Sequence, residues 1–421
     1  MNQWIKSLFR LTHNKLDHIP SNYDKLTRQQ LIAKIIALEK QQKHTTLEIN
    51  KIRKEKKPFD ISHYGQRRIA LKVAYLGWEY FGFASQNDPL VSTVEDQLFK
   101  AFETCRFIEN RDGCNFTRCG RTDKGVSGLG QVIALDVRSS NKKGVAQEPM
   151  SYIERLNRIL PQDVRILAWA PVNSTFNARF DCQSRTYKYF FEKGDLDIDA
   201  MRQAASYMIG KHDFRNFCRL DPSKNITNYE RTILYLDIRP ISHELYEVEL
   251  KGTAFLWHQV RCIMAILFLT GKKLESPHVV KDLLDIEKVP AKPNYDMASD
   301  LPLLLYDCEF KDIDWRYANE EQEATKNYLI PTPVRTQRHF RELWSSSLIK
   351  AQLYKTCLEQ VSNVPSTESQ QFVIPLGAGK VLRTAHYKKL LDRPRADSDQ
   401  VKKEKYRLRQ LRKEFIDIKN I

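Results

Sequence analysis

The sequence predicts an α+β fold made of two consecutive halves that share a cleft. Three patterns carry this expectation. Runs of period-two alternation mark strands, apolar positions three and four apart mark helices, and the two kinds follow one another twice in a β-α-β order over roughly residues 68–310.

The elements follow in chain order. Thr27 with Gln30 reads as a capping box, and Leu31, Ile35 and Leu38 recur at helical spacing, so a short amphipathic helix is expected over roughly 28–42. Lys51, Arg53, Lys54, Lys56 and Lys57 then form a basic linker before Pro58. Ile69, Leu71, Val73 and Tyr75 alternate with Arg68, Ala70, Lys72 and Ala74, the pattern of a half-buried strand, which Gly77 ends. Thr93 with Asp96 opens a helix whose face carries Leu98, Phe102 and Cys105. Ile133, Leu135 and Val137 lie opposite Val132, Ala134 and Asp136 on a second strand. A helix around Ile153, Leu156 and Ile159 stops before Pro161, and a strand at 164–170 closes the first half.

The second half reads as a strand at 187–191, a helix at 199–208, strands at 232–238 and 245–250, a buried helix at 257–269, a helix at 279–284 and a last strand at 303–310. No sequence repeat links the halves. Beyond Trp315, Phe340, Leu343, Trp344, Leu348, Ala351, Tyr354, Leu358 and Val361 describe a long amphipathic helix that needs a surface to cover. The end of the chain, from Lys388 through Arg393 and Arg395 to Lys413, is strongly basic and reads as a solvated helix or an arm that touches RNA. The expected units are 1–67, 68–175, 176–315 and 316–421.

Composition narrows the partners. In 421 residues, Lys and Arg number 68 against 52 Asp and Glu, a formal net charge of +16, and a polyanion is the simplest reason to keep so much self-repelling charge. Nucleic acid and an anionic membrane surface both fit that charge. No apolar run approaches the roughly 18 residues that span a bilayer, so no membrane span is expected. The eight cysteines include no Cys-x-x-Cys pair, which predicts free thiols in a reducing compartment and no structural zinc. Lys6, Arg10 and Lys15 around Leu8, Phe9 and Leu11 weakly resemble a mitochondrial presequence, although a solvated tail is the simpler reading.

Chemistry concentrates at Cys119-Gly120-Arg121-Thr122-Asp123-Lys124-Gly125-Val126-Ser127, between a helix and a strand. The two glycines make it a turn, and the turn could hold one carboxylate at the lip of a cleft among cations. It is neither a Gly-x-x-x-x-Gly-Lys-Ser/Thr loop nor a Gly-x-Gly-x-x-Gly turn, which counts against a nucleotide-phosphate cradle.

This stretch resembles the central motif of the TruA-type pseudouridine synthases. Further blocks agree with that family in order: Tyr75-Leu76-Gly77-Trp78, Phe81-Gly82-Phe83-Ala84-Ser85-Gln86, Thr93-Val94-Glu95, Phe176-Asn177-Ala178-Arg179-Phe180, Ser184-Arg185-Thr186-Tyr187-Lys188-Tyr189, His212-Asp213-Phe214-Arg215-Asn216-Phe217-Cys218 and Ala254-Phe255-Leu256-Trp257-His258-Gln259-Val260-Arg261. The resemblance covers roughly residues 68–310. The run Trp257 to Leu267 and Leu303-Leu304-Leu305-Tyr306-Asp307-Cys308 are most similar to the eukaryotic branch that modifies uridines 38 and 39 of the tRNA anticodon arm. Bacterial-type members carry His where Ser127 stands and some carry Ala where Lys124 stands. Those departures leave Asp123 untouched but loosen borrowed details of the pocket.

The resemblance implies two ferredoxin-like, RRM-like halves joined in one extended, mixed, mostly antiparallel sheet, with helices on one side and a catalytic cleft between the halves. It implies Asp123 as the catalytic carboxylate, attacking sugar or base or removing a sugar proton, and Arg261 as its ion-pair partner. Tyr187 would stack on the extruded uracil, Arg121 would meet the RNA, and Phe255 and His258 would stand at the pocket wall. The reaction rejoins a base to its sugar without change of mass or redox state, so neither cofactor nor metal is expected. The expected partners are tRNA, with messenger RNA as a second target class, and a second copy of the chain. The expected locations are nucleus and cytoplasm, with a mitochondrial fraction if Trp4–Lys15 acts as a presequence. A non-catalytic RNA-binding module remains the alternative.

Overall fold

The structure is a computed structural model and describes residues 60–142 except 87 and 89, 150–220, 226–317, 332–362, 372–397 and 399–419. The helix expected at 28–42, the basic run after it and the segment Trp4–Lys15 lie outside these residues.

The alternating run beginning the core forms β1, Tyr64–Tyr75, whose inward residues Ile69, Leu71 and Val73 are fully buried. Thr93 caps α1, Val94–Thr104: its hydroxyl accepts from the Asp96 amide at 3.3 Å and donates to Asp96 Oδ2 at 2.6 Å. The short β2, Thr117–Arg118, leads through the 119–127 loop into β3, Ser127–Lys142. Then come α2, Tyr152–Ile159, and β4, Val164–Pro171. β1 lies between β4 and β3, β2 pairs on β3, and every pairing is antiparallel, so the spatial order is β4-β1-β3-β2. Both faces of β3 are buried: Ile133, Leu135 and Val137 pack with α1 and α2, while Val132 and Ala134 join a separate cluster.

The second half contains β5, Cys182–Glu192; α3, Ile198–Ser206; β6, Gly210–Asp213; β7, Glu230–Pro240; and β8, Leu245–Gly252. It continues with α4, Gln259–Gly271; α5, Val279–Leu284; and β9, Leu303–Phe310. The order here is β9-β5-β8-β7-β6, again antiparallel throughout. α4 is buried almost all round, as its unbroken apolar run from Cys262 to Leu269 dictates. The two rows of strands meet where β3 and β9 pair in parallel, at Ser127↔Leu304 and Gly128↔Leu305. Gly130 lets the strands approach closely there, since a methyl on it would come within 2.5 Å of Asp307 Cα. The result is a mixed, mostly antiparallel sheet with the helices' core packed along it.

Past the sheet, α6, Thr332–Ser362, runs as one long helix. His339 Nε2 hydrogen-bonds the Gln162 carbonyl at 2.6 Å and Lys355 pairs with Glu244 at 2.9 Å. Trp344, Leu348, Ile349, Leu353, Tyr354, Leu358 and Val361 remain exposed. A hairpin of β10, Phe372–Gly377, and β11, Lys380–Thr384, was not foreseen from the sequence. Nor is the basic end solvated throughout. Leu390 is fully buried, and Glu275 Oε1 accepts from the Tyr387 hydroxyl at 2.6 Å and the Leu390 amide at 2.7 Å before α7, Asp399–Lys419, begins. A few apolar residues among many cations anchor that segment, too few to give a periodic signal. No helix among the described residues is long and apolar enough to cross a membrane.

Candidate functional site

The 119–127 loop is fixed from both sides. Buried Gln131 on β3 holds both backbone groups of Gly120, accepting from its amide at 3.2 Å and donating to its carbonyl at 3.0 Å. Thr122 Oγ1 and the Tyr75 hydroxyl share a buried hydrogen bond of 2.8 Å, and the Phe83 amide donates to the Thr122 carbonyl at 3.2 Å. A tight turn follows, in which the Val126 amide donates to the Asp123 carbonyl at 3.2 Å and the Gly125 amide to the Tyr80 carbonyl at 3.1 Å. Gly125 takes φ +78°, which glycine tolerates best, and a methyl there would fall 2.0 Å from Asp300 Oδ2. Segment 75–83 therefore clamps the turn that presents Asp123.

Asp123 is half-buried. Trp257 Nε1 donates to its Oδ1 at 3.1 Å, and His258 Nε2 stands 3.5 Å from its Oδ2. That second contact is not an ion pair at neutral pH. Burial, together with the charges of Arg261, Arg219 and Lys292, pushes His258 down to about 4, so the imidazole is uncharged. His258 caps the start of α4 in the left-handed region, φ 61°, and its buried Nδ1 has no hydrogen-bond partner among the described residues. A strained, polar-orphaned residue beside a carboxylate is the kind of local cost that functional sites carry. The Arg219 guanidinium covers the Trp257 ring at 5.0 Å, and the Arg219 amide donates to the Trp257 carbonyl at 2.9 Å.

Tyr187 lies on β5 between Leu250 of β8 and Leu305 of β9. Its ring meets Phe255 edge to face at 5.1 Å, and Phe255 in turn packs over Gly252. Burial first, then Cys308, Tyr75 and Asp123, hold the Tyr187 phenol well above its ordinary pKa. It stays protonated throughout the physiological range, and its hydroxyl has no hydrogen-bond partner among the described residues.

Arg261 departs from expectation. Its Nε donates to the Ala298 carbonyl at 2.7 Å, its own carbonyl accepts from the Ala298 amide at 3.2 Å, and its ion pair among the described residues is with Asp300 at 3.7 Å. The stretch 298–300 passes against the first turn of α4 and captures the guanidinium before it reaches Asp123. Arg261 thus acts on the loop through Asp300 and Gly125. Arg121 is exposed, with no hydrogen-bond or charged partner among the described residues.

Two contributors escaped the sequence reading. Trp257 is the direct donor to Asp123; the signal was an indole N–H in the same block as His258, which needs a partner when covered. Arg185 is the other. Its guanidinium donates to the carbonyls of Cys119 at 3.3 Å, Arg179 at 2.8 Å, Cys182 at 3.2 Å and Thr253 at 2.7 Å. Those bonds tie the Asp loop, the 176–182 segment and the approach to Phe255 together. Strand alternation already put Arg185 on the same face as Tyr187. An apolar cavity of about 470 Å³ between Trp78, Leu301 and the β10–β11 hairpin does not include Asp123 in its lining.

A sequence-family profile described as tRNA pseudouridine synthase matches residues 204–311. The chain is 43% identical to a tRNA pseudouridine(38/39) synthase of Bos taurus, over 77% of this chain and 69% of that protein. It is 42% identical to the protein of that name from Homo sapiens, with the same coverage, and 40% identical to that from Saccharomyces cerevisiae, over 93% of each. The chain belongs to the TruA family of tRNA pseudouridine synthases.

Proposed function

We propose that the chain isomerises uridine to pseudouridine at positions 38 and 39 of the tRNA anticodon arm, with Asp123 as the catalytic carboxylate. The relatives bearing that name support the substrate. One observation carries the site: a half-buried carboxylate on a rigid turn that accepts a hydrogen bond from Trp257 and acts electrostatically on Tyr187, whose ring meets Phe255.

The reaction breaks the bond from uracil N1 to the sugar, turns the base and rejoins it through C5. C5 gives up a proton and N1 gains one, so mass and redox state balance without a co-reactant. An ionised Asp123 divides the step by forming a covalent intermediate, the usual role of a carboxylate nucleophile. Neutral His258 suits this, because it leaves the carboxylate charge free for chemistry. Uracil must leave its stack at a cost on the order of a few kcal/mol. Tyr187 offers a replacement aromatic surface, worth roughly 1–3 kcal/mol per base. Its protonated hydroxyl would exchange a proton with the turning base. Arg121, exposed beside Asp123, meets the RNA backbone, while the net charge of +16 supplies affinity through phosphates.

The order β4-β1-β3-β2 of the first half recurs in the second as β9-β5-β8-β7, with the short β6 added at the edge, which supports reading both halves as ferredoxin-like with the cleft between them. The exposed apolar stripe of α6 supports a homodimer, which a monomer in light scattering would overturn. Messenger RNA as a further target and residence in nucleus and cytoplasm rest on charge alone. Site mapping after deletion and imaging of the tagged protein test them.

The test of the central reading is site-resolved pseudouridine mapping on tRNA treated with wild type and Asp123→Ala. Near-normal tRNA binding with no pseudouridine at 38 or 39 is expected. Unchanged modification by the variant would leave only an RNA-binding module around a structural turn.

A further inference from the structure

Three cysteines far apart in the chain meet at the join between the two rows of strands. The Sγ atoms of Cys119, Cys182 and Cys308 all lie within 4.8 Å of one another. Each is buried, at 3%, 7% and 5% exposure. They come from three separate segments: Cys119 follows β2, Cys182 opens β5, and Cys308 lies in β9. The join itself is thin, since β3 and β9 share only the register pairs Ser127↔Leu304 and Gly128↔Leu305.

The surroundings combine an apolar cluster with one cation. Ala70, Ala134 and Ala178 lie among the sulfurs, Val132 and Leu305 are buried with them, and Phe176, Phe310 and Trp315 pack against the group. Arg185 stands beside all three: it donates to the carbonyls of Cys119 and Cys182, and its Cα is the register partner of Cys308. Three thiolates around a divalent ion carry one net negative charge, which one guanidinium balances. Zinc–sulfur bonds of about 2.3 Å set tetrahedral sulfur–sulfur distances of roughly 3.8 Å, so the observed triangle closes on an ion with small side-chain movement. Soft thiolates select Zn(II) or Cu(I) over magnesium or calcium. Three sulfurs complete a trigonal Cu(I) site and leave zinc one position for a further ligand.

We propose that Cys119, Cys182 and Cys308 bind one thiophilic d10 metal ion, Zn(II) or Cu(I), that clips the two halves together beneath the Asp123 loop. On binding, the thiols release their protons to solvent and no electron is exchanged. The site does not depend on the synthase reading, because its role is structural. It revises the expectation of no metal, which rested on near-neighbour cysteine spacing and could not register ligands brought together only by the sheet.

The experiment uses full-length protein purified without chelator, with metal content read by inductively coupled plasma mass spectrometry. Close to one equivalent of zinc or copper is expected in wild type and in Cys357→Ser, whose cysteine is exposed on α6. Less than a tenth of that is expected in the combined Cys119→Ala, Cys182→Ala, Cys308→Ala variant. Reconstituting metal-stripped wild type separately with Zn(II) and Cu(I) identifies the ion. Because the triple variant could misfold, wild type is also loaded with Co(II), where thiolate-to-cobalt charge-transfer absorption is expected, and melted with and without chelator. Metal retained by the triple variant would overturn the site. So would a Cys119–Cys182 disulfide in non-reduced wild type, or stripped wild type that takes up neither ion and melts unchanged.

Discussion

Arg261 and Asp300 face each other at 3.7 Å, and the Asp300 carboxylate also lies against Gly125, two residues beyond Asp123. A guanidinium on α4 thereby reaches the Asp123 turn through an intermediary. Gly125→Ala tests this chain. Its φ of +78° disfavours any side chain, and the new methyl would strike a carboxylate that Arg261 holds in place. A displacement near 1 Å at a reacting group costs about 100-fold. Single-turnover kinetics should show about that loss, with tRNA affinity within a few-fold of wild type. An unaltered rate would mean that the turn's position does not govern the chemistry.

Trp257→Phe keeps a ring beneath Arg219 but removes the donor to Asp123. A hydrogen bond to a charged group contributes about 1.5–3 kcal/mol. The rate of pseudouridine formation should fall at least about tenfold while the melting temperature moves little. A rate within twofold of wild type would show that the indole only covers the carboxylate.

The strands and helices from 64 to 310 were legible because each buries one or both faces, and burial writes a period into the sequence. The turn that carries Asp123 was legible, and the structure sets His258 against the carboxylate, with Tyr187 on β5 meeting Phe255 beyond the end of β8. Asp300 was not, because it lies in an aperiodic connection between α5 and β9. The β10–β11 hairpin was missed for a related reason. Ile374 is its one buried apolar residue, while Phe372, Val373, Val381 and Leu382 stay partly exposed, so alternation never becomes a signal. Arg261 shows the limit most clearly. A charged residue on an apolar helix announces that it has a partner, but only the path of 298–300 decides which one.

Acid should weaken the fold through His258. In the folded chain burial, Arg261, Arg219 and Lys292 hold it near 4, with Asp300 opposing, against an ordinary value of 6.5. Between those values the unfolded chain takes up a proton that the folded chain refuses. The stabilisation is therefore complete above pH 6.5 and is lost as pH falls toward 4, on the order of 3 kcal/mol at most. His258→Asn, which tolerates the left-handed backbone, should flatten that slope. Denaturant melts at pH 7, 5.5 and 4 check it, and parallel slopes for the two proteins would remove His258 as the cause.

Arg121 is an exposed cation two residues before Asp123, and its value should appear only when RNA is present. Removing a surface side chain without a partner changes stability by less than about 0.5 kcal/mol, so Arg121→Ala should melt like wild type. Each neutralised phosphate contributes about 0.9 to the slope of log affinity against log salt on duplex and about 0.7 on single strands. If Arg121 neutralises one phosphate, the variant's slope should be shallower by about that amount, with the affinity loss greatest at low salt. Filter binding of tRNA across a salt series reads both quantities. Should the affinity fall while the slope stays the same, Arg121 is contacting a base or the flipped nucleotide instead of the backbone. Should neither change, the residue lies outside the RNA footprint, and the approach to Asp123 must come from the Arg219 and Trp257 side.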